Sequence, residues 1–188
     1  MKKLLCIFGG PGAGKDTVIE ALGKELPIVR IPRMVTKPNT RNEEDGVVYR
    51  FVSEDEFTAV ESDMIYVQHH GGYRYGIERD YLLRRWAEIS DEGQQPLLMS
   101  NIEEALAVHG ALPDVLLVFI TAPSVEEAER RVRQRPDDPR ETEKKVAGIL
   151  RNHERFEALS PEAKGLIHVV INDEVPNAVR AIRELITT

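Results

Sequence analysis

Apolar residues fall into two kinds of pattern along this chain. Short unbroken blocks, LLCIF (4–8), PLLMS (96–100) and VLLVFIT (115–121), read as strands buried on both faces. Elsewhere apolar positions recur every third or fourth residue, as in Val18, Leu22 and Leu26, then Leu82, Trp86 and Ile89, then Ala178, Ile182 and Leu185. That spacing predicts helices with one apolar stripe. The pattern predicts a strand over 2–8, a helix ended by Pro27, a strand over 28–35 and a helix over 78–92. Strands at 96–100 and 114–121 follow, then a helix capped by Ser124 and Glu127 that ends near Arg135. A helix over 141–157, the strand LIHVVI and a terminal helix close the chain. Buried strands alternating with amphipathic helices imply an α/β fold, a parallel sheet with helices on both faces.

The segment from about 36 to 76 breaks that alternation. It is rich in Tyr, Gly and charge, with short strand-like pieces, VVYRFV and MIYVQ, and a short helix announced by the capping box Ser53 and Glu56. It reads as a lobe inserted into a single domain spanning 1–188. A second irregular segment, PDDPR, opens an exposed lid over about 136–145.

Composition narrows the class. The chain has 188 residues, 41% hydrophobic and 30% charged, with a net charge of -7. These values predict a soluble globular protein with a real core. The acidic balance argues against a nucleic-acid partner. The lone Cys6 lies in a core strand, and a chain with one cysteine has no internal disulfide framework, which points to a reduced, cytoplasmic setting. No apolar run reaches the roughly 18 residues needed to span a membrane, so no membrane role is expected.

The candidate chemistry starts at GGPGAGKDT, residues 9–17. The pattern G-x-x-x-x-G-K-[ST] lets backbone N–H groups of a strand-to-helix loop cradle phosphates while its lysine reaches them as a point charge. Gly9, Gly10, Pro11, Gly12, Ala13, Gly14 and Lys15 follow that pattern after an apolar strand, so a nucleotide triphosphate is expected there. Asp16 stands where the hydroxyl residue belongs, and Thr17 follows one place late. A carboxylate at that position could hold Mg²⁺ or its waters. It could equally favour the first helical turn through the dipole. Thr17 is the accompanying candidate for metal or phosphate.

From this loop onward the chain resembles the guanylate kinase family over nearly its whole length. The resemblance rests on GGPGAGK, TKPNTRNEEDGVVYRFVSEDEF, GGYRYG, RRVRQRP and VVINDE, in that order. It implies a three-layer P-loop kinase core with a substrate lobe and a mobile lid, binding ATP and Mg²⁺. It also implies an acceptor phosphate held by Tyr49 (of DGVVY), Tyr75 (of YRYG) and, in place of the family's arginine pair, Lys37 and Arg41. Lysine offers no bidentate fork. Where the family reads guanine with an acidic residue, a small hydroxyl and an aspartate, this chain has Tyr66, Ile77 and Met99. The guanine specificity of the family is therefore not carried over. Gln68, His69 and His70 sit near the same pocket.

The resemblance further assigns Arg131 and Arg135 to the nucleotide, with Arg135 by the adenine. Lys145 and Arg151 are candidates to reach the transferred phosphoryl group, and Asn172 and Asp173 stand at the adenine end. Each also has a plainer reading, as a solvated helix charge or as the cap of the last helix. No general base is evident, and a phosphate acceptor needs none. The implied function is transfer of the γ-phosphoryl of ATP to a small phosphorylated acceptor by a nucleoside monophosphate kinase, monomeric or homodimeric. Two alternatives stay open: a ribose 1,5-bisphosphate phosphokinase, whose relatives carry Asp after the loop lysine, and a non-catalytic protein-binding module of guanylate kinase type.

Overall fold

In the computed structural model, which describes residues 1–40, 44–112 and 114–187, two sheets divide the chain between them. The first is parallel, with five strands: β1 (Leu4–Phe8), β2 (Ile28–Arg30), β7 (Gln95–Met99), β8 (Val115–Thr121) and β9 (Ile167–Ile171), in the order β2-β7-β1-β8-β9. The second has four short strands: β3 (Arg33–Val35), β4 (Tyr49–Phe51), β5 (Met64–His70) and β6 (Tyr73–Glu78), in the order β4-β3-β6-β5.

The unbroken apolar blocks explain the first sheet. Successive strand side chains point to opposite faces. Along β1, Leu4, Cys6 and Phe8 enter one apolar cluster while Leu5 and Ile7 enter another. Along β8, Leu117 and Phe119 join the first, and Leu116, Val118 and Ile120 the second. Register matches them, with Leu5 opposite both Leu97 and Leu116. The first face is covered by α3 (Arg79–Asp91) through Leu82, Trp86 and Ile89, and by α4 (Ile102–Ala111) through Ile102, Ala105 and Val108. The second is covered by α1 (Lys15–Gly23) through Val18, Ile19 and Leu22, and by α8 (Val175–Thr187) through Ala178, Val179 and Ile182. The expected three-layer arrangement is what forms, because strands apolar on both faces must be covered on both.

Three differences from the sequence expectation have local causes. The strand expected over 28–35 is two strands, β2 in the first sheet and β3 in the second. Pro32 stands between them and has no N–H to continue a ladder. The chain therefore leaves the core sheet at Pro32, and the second sheet begins at Arg33. The helix expected from 141 starts earlier, as α6 (Pro139–Glu157), because Asp138 accepts a bond from the Arg140 N–H and Pro139 is at the first turn. Helix α4 was not foreseen. Asn101 caps it, its side chain accepting from the Glu104 N–H at 2.8 Å. A five-residue helix, α7 (Pro161–Gly165), completes the connection to β9.

The capping box is present in α2 (Glu54–Ala59): Ser53 Oγ accepts from the Glu56 N–H, and the Glu56 carboxylate accepts from the Ser53 N–H. In α5 (Val125–Arg133) only half of it forms. Ser124 accepts from the Glu127 N–H, but the Glu127 carboxylate turns to Arg130 and Arg131 instead. A small cluster of Ala122, Ala128, Val132 and Ile149 holds α5 against α6. Among the described residues no helix is long and apolar enough to cross a membrane.

Candidate active site

The loop between β1 and α1 owes its shape to glycine. Gly12 and Gly14 adopt φ of 75° and 81°, in the left-handed region. A Cβ at Gly12 would collide with the Ala128 backbone, and one at Gly14 with the Asn172 side-chain amide. The loop is thus pressed between α5 and the segment after β9. Helix α1 starts immediately after it, with Gly14 at its N-cap and no side-chain cap. The free N–H groups of that first turn and the helix dipole suit an anion.

Lys15 folds back over the loop, donating from Nζ to the Gly9 carbonyl at 2.7 Å and the Gly10 carbonyl at 3.3 Å. Burial pushes its ammonium below the ordinary lysine value, Asp16 opposes that shift, and Arg135 adds to it. Arg135, exposed just beyond α5, is therefore electrostatically in touch with the loop lysine.

Asp16 is exposed in the first turn of α1 and lies 3.7 Å from Arg30 of β2. Thr17 is exposed beside it. Among the described residues no group of three metal-ligating side chains occurs. A single exposed carboxylate beside the loop still suits Mg²⁺, which retains water and needs few protein ligands when phosphates supply the rest.

The residues expected at the adenine end hold the loop itself. Buried Asn172 donates from Nδ2 to the Ala13 carbonyl at 2.8 Å, and its N–H bonds the Thr121 carbonyl. Arg131 donates to Glu127 at 2.7 Å and to the Asn172 carbonyl at 3.0 Å. Hydrogen bonds from Arg130 and Arg131 draw the Glu127 carboxyl down to about 2. Asp173 accepts from the Glu174 N–H and from the Asn177 side chain, just before α8. Lys145 is ion-paired with Asp137 at 2.6 Å, and Arg151 is exposed on α6.

In the second sheet, Tyr49 and Tyr75 come together, with ring centres 6.0 Å apart and edge to face. Strand β3 lies between their strands, pairing Val35 with Phe51 on one side and with Tyr75 on the other. Lys37, Asn39, Tyr49 and Tyr75 line a cavity of about 100 Å³. Arg41, expected here, lies outside the described residues. Tyr66 is half-buried on β5, and Ile77, opposite it on β6, is fully buried. Met99 ends β7, and Asn101 beside it donates to Gln68 at 2.9 Å. His69 and His70 are exposed.

Two site residues escaped the sequence reading. Arg33 opens β3 and donates from Nη1 to Glu104 Oε2 at 2.7 Å. Its Nη2 lies 3.5 Å from the Tyr49 hydroxyl. Glu104 is buried on α4. Burial raises its carboxyl, and Arg33 and the Asn101 cap pull it back. Removing either partner alone would orphan a buried charge, at a cost on the order of 3–5 kcal/mol. The one available signal was the Asn101-x-x-Glu104 spacing, which marks a helix start.

A glycine-rich anion loop with its lysine, beside a tyrosine-lined cavity on an inserted sheet, defines a P-loop phosphotransferase. Residues 1–188 match the family profile described as guanylate kinase. The chain is 37% identical to a guanylate kinase of Thermobifida fusca over 134 residues, 70% of this chain and 66% of that one. It is 33% identical to one from Caldanaerobacter subterraneus over 187 residues, covering 97% of this chain and 86% of the relative. A crystal structure of guanylate kinase from Anaplasma phagocytophilum shares the fold, with a TM-score of 0.64 at 21% identity, over 99% of this chain and 85% of that one. This chain belongs to the guanylate kinase family, and it is a nucleoside monophosphate kinase of that type.

Proposed function

We propose that the chain moves the γ-phosphoryl of ATP to the phosphate of a nucleoside monophosphate held on the second sheet. The observation that carries this is Lys15, a partly buried ammonium resting on the Gly9 and Gly10 carbonyls with Arg135 nearby. With a triphosphate in the loop, Lys15 would exchange those carbonyls for phosphate oxygens. Backbone N–H groups of Gly12, Gly14, Lys15, Asp16 and Thr17 would hold the chain of phosphates. Asp16, with Thr17, would meet Mg²⁺ carried in on them, and the ion would neutralise developing charge on the transferred group. Asn172 and Arg131 would act indirectly, by holding the loop and α5 in register.

The acceptor phosphate would rest on Tyr49, Tyr75, Lys37 and Arg41. Lys145 and Arg151 lie on α6 and would approach when the lid over about 136–145 closes; Lys145 would first leave Asp137. The acceptor phosphate is already a nucleophile, so positioning and charge neutralisation carry the rate.

The relatives are named for action on guanylate, and GMP is the first acceptor to test. Tyr66, Ile77 and Met99 offer no carboxylate to the N–H donors of guanine, and Ile77 is buried. We therefore read the base preference as different from guanine. Coupled measurement of ADP release with GMP, AMP, UMP, CMP, the deoxy forms and ribose 1,5-bisphosphate tests this. Turnover of a nucleotide other than GMP at the highest efficiency is expected. Ordinary efficiency with GMP alone would reject the altered preference. Exclusive turnover of the sugar bisphosphate would reject the nucleotide.

A further inference from the structure

Arg33 lies where the second sheet meets the first. Its side chain is 18% exposed and that of its partner Glu104 is 2% exposed. Its guanidinium carbon is 5.6 Å from the centre of the Tyr49 ring and 6.0 Å from that of Tyr75. Tyr49 lines two cavities. Lys37 lies in the first, of about 100 Å³. Arg33, Arg30 and Met99 line the second, of about 70 Å³. A small acceptor with its phosphate by Lys37 would therefore present its other end to Arg33.

What Arg33 offers is one-sided. A guanidinium has five N–H donors and no acceptor. The carboxylate it touches, Glu104, is already engaged by it at 2.7 Å. The nearby Gln68 side-chain oxygen is engaged by Asn101. A donor set of this kind matches oxygen acceptors and leaves an amino edge unpaired against it.

We propose that Arg33 is a specificity-determining residue, reading a carbonyl oxygen or oxyanion on the acceptor at the end remote from its phosphate, and that Glu104 is the positioning residue that fixes its guanidinium. This rests on the phosphotransferase reading above. Two sources share the chemistry: the carbonyl edge of a nucleobase and a second phosphate on a sugar. Glu104 fixes the fork in advance, so less ordering is required on binding.

The test is steady-state ADP release with UMP and IMP as carbonyl acceptors, AMP as an amino acceptor, and ribose 1,5-bisphosphate as a second oxyanion. Each is assayed with the natural chain, Arg33→Lys, Glu104→Gln and the double variant Arg33→Met with Glu104→Met. The double variant removes both charges together and so leaves neither buried alone. The expected result is that the natural chain prefers a carbonyl or bisphosphate acceptor over AMP. The identity of the preferred acceptor tells the two sources apart. KM for it rises roughly ten- to hundredfold in the double variant, with KM for ATP unchanged and the preference over AMP reduced. Glu104→Gln raises the same KM less and leaves kcat near its natural value. An unchanged acceptor ranking in a double variant of unaltered Tm overturns the assignment of Arg33 while leaving the kinase reading intact. Preference for AMP in the natural chain does the same. No turnover with any acceptor overturns both.

Discussion

Asn172 reaches across 159 residues of sequence to donate its side-chain N–H to the carbonyl of Ala13, 2.8 Å away and buried. One amide thus ties the segment after the last strand to the middle of the phosphate-binding loop. The same side chain closes off the space beside Gly14. The loop is held from outside, because its own glycines give it little preference for one shape.

Asn172→Ala should therefore loosen the loop and leave a buried carbonyl without a partner. A loss of about 1–3 kcal/mol in stability is expected. A weaker affinity for ATP should accompany it. Denaturant unfolding and calorimetric titration with ATP–Mg²⁺ measure the two. Natural values for both would show that the bond is incidental.

Lys15→Ala should reduce kcat by roughly 10²–10³-fold or more, on the scale of losing one preorganised charge at the transferred group. Proton linkage gives a separate check. Burial holds the free Lys15 ammonium below its ordinary value of roughly 10.4. In the folded free protein it gives up its proton at a lower pH than in the unfolded chain. Bound phosphates restore the charge, so ATP binding on the alkaline side should take up protons. Calorimetry in buffers of different ionisation enthalpy reads that uptake, and Lys15→Ala should abolish it.

Asp16→Ser should raise the Mg²⁺ concentration giving half-maximal rate by roughly tenfold, as for loss of a supporting metal contact. Arg30→Ala should shift it the other way, because Arg30 competes for that carboxylate at 3.7 Å. Mg²⁺ titrations that coincide for the natural chain and Asp16→Ser would leave Asp16 only its place in the helix dipole.

Glu127 gathers Arg130 and Arg131, and its carboxyl is drawn down to about 2. A depressed carboxylate stabilises the fold above its unfolded value of roughly 4.3 and loses that contribution as pH falls toward 2. Glu127→Gln should therefore melt below the natural chain at pH 7, and the gap should narrow as pH falls below about 4. A gap that stays constant down to pH 3 would show that the carboxylate charge does not matter.

The binary pattern carried much of this architecture. LLCIF, PLLMS and VLLVFIT are apolar at consecutive positions up to their last residues, so each had to be covered on both faces, and helices with stripes such as Leu82, Trp86 and Ile89 were there to cover them. The phosphate loop was equally legible, because its function needs glycine, lysine and an adjoining helix in one continuous stretch. Side-chain partners brought together from distant segments were not legible. Glu104 carried no local signal of its own, and α4 escaped notice because the segment after PLLMS carries little apolar periodicity. Arg33 read as part of a core strand until Pro32 separated β2 from β3. The meeting of Arg33, Glu104 and Tyr49 depends on how the second sheet docks on the first, across separations of 71 and 16 residues. No local propensity encodes such a meeting. It follows from packing, which also makes Asn172 the brace of the loop.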